Sequence, residues 1–164
     1  RKAKFSTLSD REKKNTILDK ICEMGHFGQK TGSGFYKYDE KRNATPDPMI
    51  EELIINHSKD VGIARRTITD QEIVERAIYS MINEGAKILE EGIAARPLDI
   101  DVVWLYGYGF PVYLGGPMFY ADTIGLGKVY DAILKYRDLV GAEYWTPSPL
   151  LEKLAKAGKG FYSK

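Results

Sequence analysis

The chain has 164 residues, 43% of them hydrophobic and 29% charged, which is enough apolar material for one main core and too much for a disordered segment. Twenty-four Lys and Arg against 23 Asp and Glu leave a formal charge of +1, so no global field gathers phosphate backbones or anionic lipid, and nucleic acid is a poor partner. Cys22 is the only cysteine, which excludes an internal disulfide and a cysteine-based zinc cage.

Residues 1–15 carry six basic side chains against Asp10 and Glu12, with few apolar anchors, and read as a linker. The first residue is Arg1 and no charged-then-apolar leader follows, so the expectation is a fragment of something longer. Thr16 or Asn15 is placed to cap a short helix running to about Met24. Gly25, Gly28, Gly32 and Gly34 then interrupt regular structure until the aromatic run Phe35, Tyr36, Tyr38. Asn43 to Pro48 is a turn-rich break. Asp47 as N-cap and Pro48 at the first helical position open a helix to about Asp60, with Met49, Ile50, Leu53 and Ile54 as its apolar set.

The strongest local signal spans Thr69 to Ile93. Thr69 and Glu72 have capping-box spacing, Gly92 marks the stop, and Ile73, Val74, Ala77, Ile78, Met81, Ile82 and Leu89 form one stripe at three- and four-residue steps. Asp99 is read as the cap of a helix from Ile100 to about Tyr106, with Asp101 favouring that helix's dipole from its first turn. Met118–Ile124, Lys128–Val140 and Leu150–Ala157 complete the set, with Pro147 and Pro149 punctuating before the last. No stretch alternates at period two between hairpin turns, so strands are at most minor and the predicted class is all-α.

Val102 to Ala121 runs for 20 residues without a charge. Gly107, Gly109, Gly115, Gly116, Pro111 and Pro117 would break a lipid-exposed helix, so the stretch is expected to be buried against protein. It gathers Trp104, Tyr106, Tyr108, Phe110, Tyr113, Phe119 and Tyr120, which could line an acyl pocket or a subunit interface, plain core being the expected use. One internal echo stands out. Gly32-Ser33-Gly34-Phe35-Tyr36 and Gly158-Lys159-Gly160-Phe161-Tyr162 match in four of five places at an offset of 126, as though the tail of one repeat preceded a whole second repeat.

Signatures of chemistry are sparse. Gly32-Ser33-Gly34 and Gly107-Tyr108-Gly109 lack the third glycine and the leading strand of a dinucleotide fingerprint. No phosphate-binding loop, HExxH or GxSxG occurs. Cys22 and His26 share a helical spacing, but without further ligands they read as a buried cysteine and a surface or capping histidine. On the long helix Asn83 lies on the polar side with Arg76, Ser80 and Lys87, and Glu84 lies at the edge of the apolar stripe. Solvation of that side and hydrogen bonding to a neighbouring helix both remain open. No catalytic, cofactor-binding or metal-ligating residue is assigned.

Gly28-Gln29-Lys30-Thr31-Gly32-Ser33-Gly34-Phe35-Tyr36-Lys37-Tyr38 resembles the run that closes the C-terminal helical domain of 3-hydroxyacyl-CoA dehydrogenases. Asn83-Glu84, Leu89 to Ala94, Asp99-Ile100-Asp101, Gly107 to Pro111 and Gly115 to Asp122 resemble the body of that domain. The Gly-Gly-Pro-Met-Phe-Tyr-Ala form is similar to the last part of multifunctional fatty-acid β-oxidation enzymes, of the peroxisomal bifunctional type, that join an enoyl-CoA hydratase/isomerase to the dehydrogenase.

The resemblance implies a helical bundle of the 6-phosphogluconate dehydrogenase C-terminal type, without the Rossmann domain. It further implies that residues 16–45 end a first repeat and residues 46–164 form a second. Under it, Gly28, Gly32, Gly34, Arg76, Asn83, Glu84, Gly92, Asp101, Gly107, Gly109, Pro111, Gly115, Gly116 and Pro117 are signature residues for packing and interfaces. The family's helical-domain Asn-Arg pair would fall on Glu75-Arg76, where only Arg76 matches, so the second copy is expected to be degenerate for chemistry. NAD and the catalytic His and Glu would belong to the upstream Rossmann part. The helical part would pack on the first repeat, shape the acyl-CoA cleft and allow a homodimer, the fragment alone being inactive. A free-standing helical interaction module is the alternative. Ser163-Lys164 is one Leu short of a peroxisomal address, leaving a peroxisome or bacterial cytoplasm as the expected compartment.

Overall fold

The computed structural model describes residues 16–163; the expected linker at 1–15 lies outside them. The chain divides into two compact units with the boundary between Thr67 and Ile68. In the first, helix α1 (Ile17–Glu23) buries Ile21 and packs with helix α2 (Pro48–Asp60), which buries Ile50. The Asp47 carboxylate accepts the Met49 amide at 3.1 Å, the expected cap. Thr16 occupies the cap position of α1 but makes no side-chain cap bond.

Between these helices a short 3-10 turn (Gln29–Thr31) ends at Gly32, whose φ of +72° is left-handed backbone. Strand β1 (Tyr36–Tyr38) then pairs antiparallel with β2 (Ala44–Pro46), Tyr36 opposite Pro46 and Tyr38 opposite Ala44. The sequence reads a turn at 43–48, where the structure places one edge of this hairpin. Three-residue strands are too short to display alternation, and the hairpin is closed by Asp39, which accepts the Asn43 amide and side chain at 2.8 Å each. Cys22 is exposed, correcting the expected buried cysteine. It follows the buried Ile21 on a side of α1 that the small core around Ile21 and Ile50 does not cover.

The second unit is built on α3 (Asp70–Glu90), opened as expected by Thr69, whose hydroxyl accepts the Glu72 amide at 3.2 Å. It ends before Gly92, which adopts φ +71°. Around it lie α4 (Pro97–Gly107), α5 (Pro117–Ile124), α6 (Leu126–Val140), the single turn α7 (Ala142–Trp145) and α8 (Pro149–Lys156). Tyr79, Ile82 and Ala86 of α3 meet Ala121, Val129, Ile133, Tyr136, Trp145 and Leu151 in one core. Ile73 and Val74, the first stripe residues, stay more than half or nearly half exposed, so the core covers only the later turns of α3.

Asp99 is not the cap of α4. The helix starts at Pro97, three residues before the expected Ile100, and Asp99 reaches back from its third position to accept the Arg96 amide at 2.9 Å while pairing with the Arg96 guanidinium. Proline at the first position and a carboxylate at the third satisfy a helix start as well as the expected cap would. The unpredicted α7 is one turn leading into Ser148, which caps α8.

Candidate functional site

Two buried polar residues hold this unit together, and both come from helices that the sequence reads as amphipathic or apolar. Asp101, on the fifth position of α4, is fully buried. One carboxylate oxygen accepts the Met118 amide at 2.7 Å; the other accepts the Phe119 amide at 3.0 Å and the Tyr162 hydroxyl at 2.6 Å. It therefore neutralises the start of α5, a second helix, and not the dipole of its own. Burial pushes the Asp101 carboxyl above its ordinary value, the three hydrogen bonds opposing that shift without cancelling it. Its partner Tyr162 is raised too, by burial and by the adjacent carboxylate.

The backbone around Asp101 is shaped to admit it. Gly116, with φ +100°, precedes α5, and a Cβ there would drive into the Asp101 carboxylate. Pro117 takes the first helical position and is buried. Gly115, φ +74°, turns the chain closely past the Phe119 ring. So three signature residues serve one capped junction. A second carboxylate, Asp122, accepts the Phe161 and Tyr162 amides at 2.7 and 2.9 Å, pinning the last turn of the chain. The Tyr162 ring also meets Phe119 edge-on at 6.0 Å.

Asn83 resolves the ambiguity on α3 in favour of a neighbouring element. It is buried, donates to the Thr146 carbonyl at 2.8 Å and accepts the Ser148 amide at 2.8 Å, so one amide side chain clamps the entrance to α8. Glu84 is solvated and pairs with Lys87 at 3.1 Å. Arg76 lies 3.5 Å from Glu72 one turn back. Glu75, largely buried, accepts the Tyr136 hydroxyl and the Gln71 side chain, with Lys135 3.9 Å away. Its carboxylate is committed to the joint between α3 and α6.

The aromatic stretch departs from expectation. Phe110 is buried, but Tyr106, Tyr108 and Tyr113 are 88%, 72% and 87% exposed, with Val102, Val103 and Val112 beside them in the sequence also on the surface. α4 turns only one side to α3 and α5, and the turn Val112–Leu114 projects Val112 and Tyr113 outward while Leu114 is half-buried. Next to this surface two shallow apolar cavities of about 350 and 300 Å³ share Ile88, Ile100 and Trp104 as lining, with Asp99 at one end and Glu84 at the other. Such an uncovered apolar face has the character of a protein interface; the polar side chains in its lining are already engaged, Ser80 with the Arg76 and Ala77 carbonyls, Glu84 with Lys87 and Asp99 with Arg96.

Neither glycine pair suits a dinucleotide. Gly32 and Gly34 lie just ahead of the hairpin, and Gly107 is the last residue of α4 with Gly109 in the turn after it, so neither pair directs amides from a helix start toward a pyrophosphate. Gly28 (φ +86°) and Gly109 (φ +71°) allow tight turns, while a Cβ on Gly34 would sit 2.7 Å from Gly28 Cα. Gly107 has open space around it, and Pro111 begins the turn that follows. Gly28, Gly32 and Gly34 belong to the first unit, and the Asp101 and Asn83 clusters to the second. Sequence reasoning missed Asp122, Ser148, Tyr136 and Tyr162. The signal available for two of them was the Gly-Phe-Tyr echo itself, since an aromatic ending with bare amides calls for an acceptor.

Residues 73–162 match the family described as 3-hydroxyacyl-CoA dehydrogenase, C-terminal domain. The peroxisomal bifunctional enzyme of Danio rerio is 48% identical over 145 residues, and that of Homo sapiens 49%, in each case over 87% of this chain. Each match covers 20% of the relative, so the chain spans about a fifth of the length of these curated relatives. A crystal structure of the dehydrogenase part of multifunctional enzyme 1 from C. elegans superposes with a TM-score of 0.65 at 28% identity, covering 93% of this chain and 34% of that one.

Proposed function

Because the chain belongs to the 3-hydroxyacyl-CoA dehydrogenase C-terminal domain family, we propose that it is the closing helical region of a multifunctional fatty-acid β-oxidation enzyme. In that reading residues 16–45 end a first helical repeat and residues 46–164 form a second, which packs on the first and shapes the acyl-CoA cleft. The whole enzyme oxidises a 3-hydroxyacyl-CoA with NAD and carries an enoyl-CoA hydratase/isomerase. NAD and the catalytic base belong to a Rossmann domain upstream, for which the glycine pairs here offer no substitute. The signature residues Gly115, Gly116, Pro117, Asp101 and Asn83 serve packing.

The observation that carries this reading is the commitment of Glu75. The position that the resemblance aligns with a substrate-facing amide holds a carboxylate locked to Tyr136 and Gln71, so this repeat supports the cleft and does not perform chemistry. The exposed face around Tyr106, Tyr108 and Tyr113 supplies a surface for the neighbouring part of the enzyme or for a homodimer. Hydride transfer needs a cofactor held beside a positioned base. Purified chain mixed with NAD and a 3-hydroxyacyl-CoA is expected to give no rise in NADH absorbance, and turnover above contaminant level would overturn the scaffold reading.

A further inference from the structure

The Gly-Phe-Tyr echo occurs in two states. At the second site Gly158 closes α8 in left-handed backbone, φ +64°, and the chain then lays Phe161 against the core. Both amides of the Phe-Tyr pair donate to Asp122, and the tyrosine hydroxyl donates to Asp101. Each donor of the Phe-Tyr pair thus has a carboxylate acceptor, supplied by an earlier helix of the same unit.

The first site opens the same way, with Gly32 at φ +72°. There the resemblance of state stops. Phe35 and Tyr36 are 43% and 48% exposed. Among the described residues neither the Phe35 amide nor the Tyr36 hydroxyl has a hydrogen-bond partner. The unit that carries them holds two helices and a three-residue hairpin, and its few buried apolar side chains, Ile21 and Ile50, are too small a set to be the whole of a repeat. The relatives, meanwhile, are more than four times as long as this chain, 145 matched residues making 20% of each.

We infer that Gly34-Phe35-Tyr36 is a latch whose catch lies in polypeptide N-terminal to Arg1: a helix bearing an aspartate or glutamate that accepts the Phe35 and Tyr36 amides, with a second buried carboxylate for the Tyr36 hydroxyl. This rests on the reading of residues 16–45 as the end of an earlier repeat and adds the chemistry by which that end is held. The occupant is an acidic helix of the same polypeptide. A carboxylate is required because it alone among side chains accepts several donors at once without offering a competing one. The latch would tie the hairpin of residues 36–46, and with it α2, to the body of the first repeat.

The test uses the full-length gene product. Tyr36 is replaced by a photo-crosslinking phenylalanine analogue, and the crosslinked peptide is mapped by mass spectrometry. The expected product joins Tyr36 to a peptide upstream of Arg1 containing an Asp or Glu at a helix. Replacing that acid by Asn or Gln is expected to speed hydrogen exchange of the Phe35 and Tyr36 amides at least tenfold, to the rate seen in the 164-residue chain. Crosslinks to residues 68–164, to a second copy or to an upstream peptide without an acid would overturn the latch. A gene product with no helical repeat upstream would instead overturn the repeat reading itself. A mapped acid whose replacement leaves exchange unchanged sinks the latch while the repeat reading stands.

Discussion

Replacing Asp101 by Asn tests the buried junction with almost no change of shape. The retained oxygen can keep the Met118 amide, but an NH₂ then stands where the second oxygen accepted the Phe119 amide and the Tyr162 hydroxyl. The tyrosine hydroxyl can turn and accept. The Phe119 N–H cannot, and an orphaned buried donor costs about 1–3 kcal/mol. Loss of negative charge at the start of α5 removes about 0.5–1 kcal/mol more. Against this, the mutant no longer keeps a charge out of water, a relief indicated by the raised Asp101 carboxyl. The expected net loss is about 2 kcal/mol at pH 7. Both tryptophans, Trp104 and Trp145, lie in residues 68–164, so urea unfolding followed by tryptophan fluorescence reads this unit alone. With a denaturant slope of about 1 kcal/mol/M, the midpoint should fall by about 2 M. Tyr162→Phe alone should cost about 1.5 kcal/mol, and the double mutant should show coupling of about 1 kcal/mol, since either change by itself removes the same hydroxyl-to-carboxylate bond. A loss under 0.5 kcal/mol for Asp101→Asn, or additive effects of the two changes, would refute the account of the junction.

Three further outcomes follow from the same geometry. Asn83→Ala should destabilise the unit by about 2–3 kcal/mol in the same unfolding assay, because the Ser148 amide and the Thr146 carbonyl each lose their partner at the entrance to α8. Gly116→Ala should cost at least as much, from a φ of +100° unsuited to a side chain and from collision with Asp101; Gly107→Ala, with open space, should change stability by less than 0.5 kcal/mol. Asp99 and Asp101, two residues apart, should titrate on opposite sides of 3.8 when their carboxyl carbons are followed by NMR. Asp99 is held low by its hydrogen bond with Arg96, so its contribution is present above the unfolded value and lost as pH falls through the folded one. Asp101 is held high by burial, so its contribution is present below the unfolded value and lost as pH rises through the folded one. Titration of both on the same side would contradict the assignment of their environments.

The features legible in the sequence are those whose cause lies within about four residues. Asp47 before Pro48, Thr69 three ahead of Glu72, and Gly92 after the long helix mark real boundaries, because the orphan amides and carbonyls of a helix end are satisfied by the nearest chain atoms. The family resemblance was legible as well, through motifs whose order is written in the chain. Asp101 was visible as a residue near a helix start and as part of a family motif, with nothing to say what it touches. That it caps a different helix, 17 residues on, and receives a hydroxyl from 61 residues away depended on how α4, α5 and the chain's end come together. Asn83 meets Ser148 across 65 residues, and no spacing rule distinguishes that amide from a solvated one. The aromatic stretch erred for the same reason. Hydrophobicity states how much burial would be favourable, whereas which side chains obtain it is decided by the neighbours that the tertiary fold brings against each face.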